Sequence, residues 1–404
     1  MVEIQDIFKQ HGESYRKVHK LQLTHHKAMN SIEKCRTSDL GGHVDECDEC
    51  GYTRISYNSC RNRHCPKCQT LAKERWIEDR KEDLLPVQYF HVVFTIPDTI
   101  NPIAFQNQKV VYNILFKAAS ETLLELANDK KHLGARLGFT SVLHTWGQNL
   151  MHHPYIHCIV PGGGLSALNE WVRSKKKFFI PVKVLSRMFR GKFLYYLKQA
   201  YYDKRLEFHG SIKYMTKASV FENLLSKWYE TEWVVYCKKP FRNAECVVEY
   251  LGRYTHRVAI SNNRIDKLEN GQVSFKWRDY RDKKKEKLMT VSAEEFIRRF
   301  LVHILPDRFV KIRHYGILGS RNKNTKLRLC KKLTGAVFHV KKSEKPTVAE
   351  MMIKLVGRDI TLCPCCGCGK LTRSTVLSPP YVHQNFVAIS PEPCHGEGEA
   401  MFVL

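Results

Sequence analysis

Apolar and polar positions along this chain of 404 residues predict a mixture of helices and strands. Apolar side chains recur at helical spacing over 5–34, 106–133 and 189–229, which predicts helices there. The clearest strand is Tyr89–Ile96, an aromatic and β-branched run that ends at Pro97. Shorter runs predict two more strands, at Thr140–Thr145 and Glu232–Tyr236. The chain is therefore expected to combine both kinds of secondary structure.

The pattern predicts a further group of elements in the second half of the chain. Strands are expected at three short segments, Arg257–Ile260, Arg264–Leu268 and Gln272–Arg278, the last two joined by a turn at Asn270–Gly271. A capping box, Ser292-x-x-Glu295, begins a helix that extends to about Ile304.

A helix is also predicted over Ala244–Thr255. It contains Gly252, which costs about 1 kcal/mol relative to alanine in a helix. Such a cost is expected where another part of the molecule approaches closely.

The net charge of the chain indicates its class of binding partner, which hydrophobicity does not. Lys and Arg number 66 against 40 Asp and Glu, a net charge of +26, and a surplus of this size indicates a polyanionic partner. The N-terminus has no apolar core typical of a secretory signal, and no apolar run reaches the roughly 20 residues that a membrane helix needs. With 43% hydrophobic residues the chain can build a core, and its length favours two or three domains.

Fifteen cysteines without an export signal favour reduced thiols and metal binding over disulfides. Two turns, Cys47-x-x-Cys50 and Cys65-x-x-Cys68, are 14 residues apart, and we expect their four thiolates to complete one tetrahedral Zn²⁺ site. Four neighbours either form a second zinc site or are ordinary buried or surface residues: Cys35, His43, Cys60 and His64.

The C-terminal region carries two further signals. Arg313–Lys332 is strongly basic and is expected to contact DNA. Cys363–Cys368 resembles one zinc knuckle without a clear second, and the candidates to complete the site, Cys394 and His395, are poorly spaced. The tail from Leu377 is expected to be loosely ordered.

Two tyrosines, Tyr250 and Tyr254, lie four residues apart beside Arg253 and Arg257. On a helix they share one face, one turn apart. They are either a pair of nucleophiles for a phosphodiester or an ordinary aromatic stripe.

A histidine-rich strand is predicted from 152 to a triple glycine at 162–164. Positions 153, 155 and 157 of a strand share one face, so His153 and His157 can converge on a cation beside Tyr155. The glycines suit a tight turn or a close approach of the backbone to phosphate.

Five stretches together resemble the two-tyrosine, rolling-circle insertion-sequence transposases of the HUH endonuclease superfamily (IS91 type). They follow the order of that family over roughly residues 5–370: Ser59–Cys68, Tyr89–Pro97, His153–Gly164, Glu249–Ser261 and Arg313–Gly316. The resemblance implies an α+β fold with an HUH-type antiparallel sheet flanked by helices. It also implies a bacterial protein of the cytoplasm, associated with the nucleoid.

In that family the tyrosines matching Tyr250 and Tyr254 are the nucleophiles, and the histidine pair binds catalytic Mg²⁺ or Mn²⁺. This chain departs from the motif because Tyr155 stands where the first histidine is expected, and His153 is the nearest substitute. The implied partner is single-stranded DNA at transposon ends and target. The candidate DNA contacts are Arg253, Arg257, Arg61, Arg63, Arg313 and Arg321.

We therefore expect three parts: a zinc-binding module (1–85), a nuclease domain (86–305) and a basic C-terminal region (306–404). The expected function is a DNA transposase that nicks and joins single strands through tyrosine. One alternative is a related replication initiator or relaxase. Another is a catalytically inactive zinc protein that only binds DNA.

Overall fold

The computed structural model describes residues 2–175, 180–238, 246–247, 250, 252, 255, 259–280, 282–336 and 346–379. The helices are α1 (Ile4–Val18), α2 (Leu23–Glu33), α3 (Pro66–Lys81), α4 (Asn101–Gln106), α5 (Gln108–Asn128), α6 (Val182–Tyr202), α7 (Ala218–Glu230), α9 (Ala293–Leu301), α10 (Arg328–Leu333) and α11 (Val348–Val356). The helical positions Cys246, Val247, Tyr250, Gly252 and Thr255 mark a further helix, α8. Among these residues no helix has the length and apolar character needed to cross a membrane.

The strands are β1 (Gly42–Cys47), β2 (Thr53–Tyr57), β3 (Tyr89–Thr95), β4 (Gly138–Trp146), β5 (His152–Pro161), β6 (Gly163–Leu165), β7 (Trp171–Arg173), β8 (Val235–Lys238), β9 (Ile265–Glu269), β10 (Gln272–Asp279), β11 (Lys285–Ser292), β12 (Ile312–Gly316) and β13 (Leu371–Leu377). The predicted strands near 89, 140, 232, 264 and 272 are present. The strand predicted at Arg257–Ile260 is wrong at its described end, because Ala259 and Ile260 are not in a strand and are buried in a core instead.

The central sheet has five strands in the order β12-β4-β5-β3-β8, and every neighbouring pair is antiparallel. One face is mainly apolar. Phe90, Val92 and Phe94 of β3 alternate into the largest core, where they meet Phe116 of α5 and Phe189 of α6. This confirms the expected α+β fold with an antiparallel sheet flanked by helices. The other face of the sheet carries the polar site described below.

A second core joins α1 and α2 to the sheet β11-β10-β9 and to α9. Phe8 and Phe300 meet edge to face there, with ring centroids 5.3 Å apart. The single helix predicted over 5–34 is wrong, since the chain leaves the helix at His19, whose backbone is extended. Arg16 then donates to Glu33 at 2.8 Å and links the two helices. Apolar residues recur at helical spacing on both sides of the short break between α1 and α2, which is why the sequence predicts one continuous helix.

Segments beyond residue 305 complete two different sheets. β12 pairs with β4 at the edge of the central sheet, and β13 pairs with β1 in the sheet β13-β1-β2 of the N-terminal module. The C-terminal region (306–404) therefore supplies one strand to the nuclease domain and one to the zinc-binding module, and does not fold separately from them.

Candidate active site and metal centres

Three histidines from three adjacent strands meet on the polar face of the central sheet. The antiparallel register places Val93 of β3 and Val142 of β4 opposite His157 of β5. His91 and His144 are each two positions from those valines, so all three imidazoles share one face.

The contacts within this histidine cluster (His91, His144 and His157) are close. Nε2 of His91 and Nδ1 of His157 are 2.5 Å apart, so one ring donates a hydrogen bond to the other. The ring centroids of His144 and His157 are 4.4 Å apart. Neither His91 nor His144 was among the candidates from the sequence.

Burial keeps the imidazoles of His91 and His157 neutral. His91 is 1% exposed, and burial, followed by the positive charge of Lys238, lowers its pKa to about 3. Burial, then the neighbouring His144 and His91, holds the pKa of His157 well below its ordinary value. A neutral imidazole keeps a nitrogen lone pair, so at pH 7 both rings are suited to bind a divalent cation.

Tyr155 borders the cluster, whereas His153 is directed elsewhere. The hydroxyl of Tyr155 is 3.2 Å from Nδ1 of His144. Nδ1 of His153 is 3.2 Å from a carboxylate oxygen of Asp98. Four residues of strand span about 13 Å, so sharing a face did not bring His153 to His157. The structure brings His91 and His144 to His157 in its place.

Helix α8 lies over the same face and presents Tyr250. The ring of Tyr250 is 5.1 Å from that of His91, at an interplanar angle of 66°. Val247, one turn earlier, is fully buried and packs with Val142 and Ile159 of the sheet. Tyr254, Arg253 and Arg257 lie outside the described residues.

Gly252 is the point at which α8 meets α3. A β-carbon at this position would lie 2.3 Å from Cδ1 of Ile77, so the Ile77 side chain or the helix would have to shift to make room for it. The expectation that an element approaches this glycine closely is confirmed. Ile77 of α3 is itself buried, so α8 is held between α3 and the sheet.

The cysteines group differently from the predicted single site. The described residues contain two clusters of four thiols, each with all its sulfur atoms within 4.8 Å of one another. Cluster A consists of Cys35, Cys60, Cys65 and Cys68, and cluster B of Cys47, Cys50, Cys363 and Cys366. The expected set of Cys47, Cys50, Cys65 and Cys68 is therefore corrected, because the two turns belong to different clusters.

Cluster A has the dimensions of a zinc site. Sγ of Cys68 is 3.6 Å from Sγ of both Cys35 and Cys60. Four sulfurs about 2.3 Å from one Zn²⁺ lie about 3.8 Å apart, so the thiols fit that ion.

The two histidines expected near the zinc lie in neither cluster. Nε2 of His43 is 3.3 Å from Asp45, and Nε2 of His64 accepts a hydrogen bond from the amide of Leu305 at 3.2 Å. Cys394 and His395 lie outside the described residues.

The candidate DNA-contacting arginines divide into two groups. Arg63 donates to the carbonyls of Phe309 and Pro306 at 2.6 and 2.8 Å, so it ties the zinc module to the chain after α9. Arg313 donates to Asn113 at 2.6 Å, and its guanidinium lies 4.0 Å from the ring centroid of Phe116. Both have partners within the protein. Arg61 and Arg321 are exposed and available to a phosphate.

The triple glycine, for which a close approach to phosphate was one interpretation, and Gly316 both pack against the protein itself. A β-carbon on Gly163 would lie 2.5 Å from the carbonyl of Val172, and one on Gly164 would lie 2.6 Å from that of Arg136. Gly316 has a φ of +59° and faces the carbonyl of Leu137, which leaves no room for a side chain. These glycines allow close packing between neighbouring segments.

Two family models match parts of this chain. Residues 138–326 match a family model described as "Putative transposase", and residues 7–96 match the "Transposase zinc-binding domain" model. The "Putative transposase y4qJ" of Sinorhizobium fredii (strain NBRC 101917 / NGR234) is 49% identical over 373 residues, covering 91% of this chain and 94% of that relative.

A second relative is the transposase for insertion sequence element IS801 of Pseudomonas savastanoi pv. phaseolicola. It is 28% identical over 298 residues, which is 73% of this chain and 70% of the relative. No solved structure matches the chain significantly. The similarity over nearly its whole length, together with a transposase zinc-binding domain, shows that the chain belongs to the IS91-type family of insertion-sequence transposases, enzymes that act on DNA.

Proposed function

We propose that this transposase cuts and joins single-stranded DNA through a covalent bond between Tyr250 and the DNA. The observation that carries the proposal is the position of the Tyr250 ring, 5.1 Å from His91 within a buried cluster of imidazoles. A phenol beside neutral metal-binding side chains has the two parts that metal-assisted phosphodiester cleavage needs.

The proposed reaction is a transesterification that needs only the Tyr250 phenol and the DNA phosphodiester as reactants. The phenolic oxygen of Tyr250 attacks phosphorus, and the bond from phosphorus to the 3′ oxygen breaks. The phenol gives up its proton and the departing strand gains one, which leaves a 5′-phosphotyrosine and a free 3′-hydroxyl. The bond energy is kept, so a 3′-hydroxyl can later reverse the step and join strands. By resemblance, Tyr254 would serve as the second nucleophile.

His91 and His157, with His144 beside them, would hold the divalent cation. Imidazole suits Mn²⁺ better than Mg²⁺, because hard Mg²⁺ prefers oxygen ligands. The cation, when bound, polarises the scissile phosphate and offsets its negative charge. The hydroxyl of Tyr155 orients the ring of His144. Tyr155 would therefore lie beside the metal without binding it.

Edge strand β8 supports a single-stranded substrate. Lys238 pairs with His91 across the strands and Tyr236 pairs with Val93, so both lie on the face of the histidine cluster. Tyr236 is 56% exposed and Lys238 is exposed as well. An exposed ring suits stacking with an unpaired base, and a neighbouring ammonium suits its phosphate.

The test is covalent capture of DNA by the wild-type chain. A single-stranded oligonucleotide carrying the element's end, labelled on the 3′ side of the cut, should yield a labelled protein band that depends on Mn²⁺. The same sequence as a duplex should yield little. Equal labelling of duplex and single strand would exclude the proposed substrate, and labelling that persists in excess chelator would exclude the metal.

A separate prediction concerns the contact between α8 and α3. Gly252→Val is expected to displace α8 from the sheet and to lower adduct formation on the order of 100-fold, since misplacement by about 1 Å can have that effect. Gly191→Val is the matched control, because a β-carbon at that helical glycine would meet only the hydroxyl of Tyr229, at 4.0 Å. Adduct rates measured for both should differ. Equal rates would show that the packing of α8 does not position the nucleophile.

A further inference from the structure

We propose that the four thiols of cluster B hold a second structural Zn²⁺, and that this ion fastens the C-terminal segment to the N-terminal zinc-binding domain. The domain match ends at residue 96 and contains Cys47 and Cys50 but neither Cys363 nor Cys366. The site is thus assembled from cysteines 313 residues apart in the chain, as between Cys50 and Cys363.

The sulfur positions fit zinc and exclude disulfides. Sγ of Cys47 is 3.7 Å from that of Cys366, and Sγ of Cys50 is 3.7 Å from that of Cys363. These distances are close to the edge of about 3.8 Å expected for four sulfurs around Zn²⁺. A disulfide would require about 2.05 Å.

The two turns of cluster B have the same backbone conformation. Gly51 has a φ of +68° and its amide donates to the carbonyl of Cys47 at 3.2 Å, while Gly367 has a φ of +70° and donates to Cys363 at 3.0 Å. Each glycine follows the second cysteine of its pair. Two matching turns that face each other direct four thiols at one point, as tetrahedral coordination requires.

Backbone amides are already directed at these sulfurs. The amide of Cys365 donates to Sγ of Cys363, and that of Gly369 to Sγ of Cys366, both at 3.3 Å. Zinc binding removes four thiol protons, and such donors offset the negative charge that the thiolates then carry.

Within the described part of the chain, the other clustered thiols of the N-terminal module are not shared with Cys47 and Cys50. The remaining pair of the N-terminal module, Cys65 and Cys68, is engaged in cluster A with Cys35 and Cys60. Strand pairing also places Cys363 and Cys366 correctly, since Cys47 at the end of β1 lies opposite Leu371 at the start of β13. The amide of Lys370 donates to Asp48 at 2.7 Å and closes the gap between the two turns.

The fastened segment reaches the active site through α3. Lys354 of α11 is 3.2 Å from Glu78 of α3. Ile77, next to Glu78, is the residue against which Gly252 of α8 packs. Cluster B therefore holds α11 behind the helix that supports Tyr250. Whether cluster B binds Zn²⁺ does not depend on whether Tyr250 is the nucleophile.

The experiment counts zinc in the full-length protein by elemental analysis. The wild type should contain two ions per chain. Cys47→Ser/Cys50→Ser and Cys363→Ser/Cys366→Ser should each contain one, and the variant with all four changes should still contain one, because both pairs hold the same ion. Cys365→Ser/Cys368→Ser, in the same turn, is the matched control and should keep two.

Two ions in Cys363→Ser/Cys366→Ser would overturn the proposal, as would one ion in the wild type. The wild-type count needs no variant, so a variant that fails to fold does not remove the test. X-ray absorption of the wild-type protein should show four sulfur neighbours around zinc at about 2.3 Å, and nitrogen neighbours in their place would also overturn it. A wild-type protein that contains two zinc ions but forms no adduct with DNA would count against the proposed function and not against the zinc site.

Discussion

Tyr250→Phe is expected to abolish adduct formation on the first strand, by at least about 10³-fold in a single turnover. Phenylalanine keeps the ring that packs 5.1 Å from His91 but has no oxygen with which to attack phosphorus. The measurement is the labelled protein band formed with a single-stranded oligonucleotide in Mn²⁺. Peptide mapping of the wild-type adduct should place the nucleotide on Tyr250.

The matched control is Tyr229→Phe, which removes the hydroxyl of an exposed tyrosine on α7 and should leave the band unchanged. Tyr250→Phe/Tyr254→Phe should leave no adduct at all. Full labelling of this double variant would show that the nucleophile lies elsewhere in the chain.

The second large effect is expected at the imidazoles. His157→Ala and His91→Ala should each lower cleavage by about 100-fold or more at a fixed low concentration of Mn²⁺, because each removes a ligand of the proposed cation. Raising the Mn²⁺ concentration should restore part of the activity, which loss of a purely structural histidine would not allow. Titration of Mn²⁺ against cleavage rate measures both.

His153→Ala is the control for this pair. Its imidazole lies beside Asp98, at 3.2 Å, so its loss should leave both rate and Mn²⁺ dependence unchanged. If His153→Ala abolished cleavage while His91→Ala and His157→Ala retained it, the metal site would lie at the outer end of β5 and the proposed assignment would be wrong.

The periodicity of the sequence was sufficient for most of the central fold. The strand at Tyr89, the hairpin around Gly271 and the helix after Ser292 depend on local patterns and turn residues, and all three are present. The local pattern did not predict the break between α1 and α2. No proline or glycine marks it, and it is stabilised by contacts between residues far apart in the sequence, such as Arg16 with Glu33.

The candidate site required strand order, which no local pattern contains. His157 was identified from its own strand, but its partners His91 and His144 come from neighbouring strands whose pairing and register decide whether the rings meet. The same limit applies to the cysteines. Spacing identified each Cys-x-x-Cys turn, yet which turns face each other is fixed by the pairing of β1 with β13.

The pairing of β1 with β13 has a consequence for synthesis on the ribosome. β13 leaves the ribosome roughly 320 residues after β1, which at about 5 to 20 residues per second is a delay on the order of tens of seconds. During that time one edge of β1 lacks its partner strand, and exposed edges invite wrong pairings. A product truncated before Leu371 never completes this sheet. Nascent chains and shortened gene copies should therefore depend on chaperones or be degraded, and translation to the C-terminal region becomes a condition for stable enzyme.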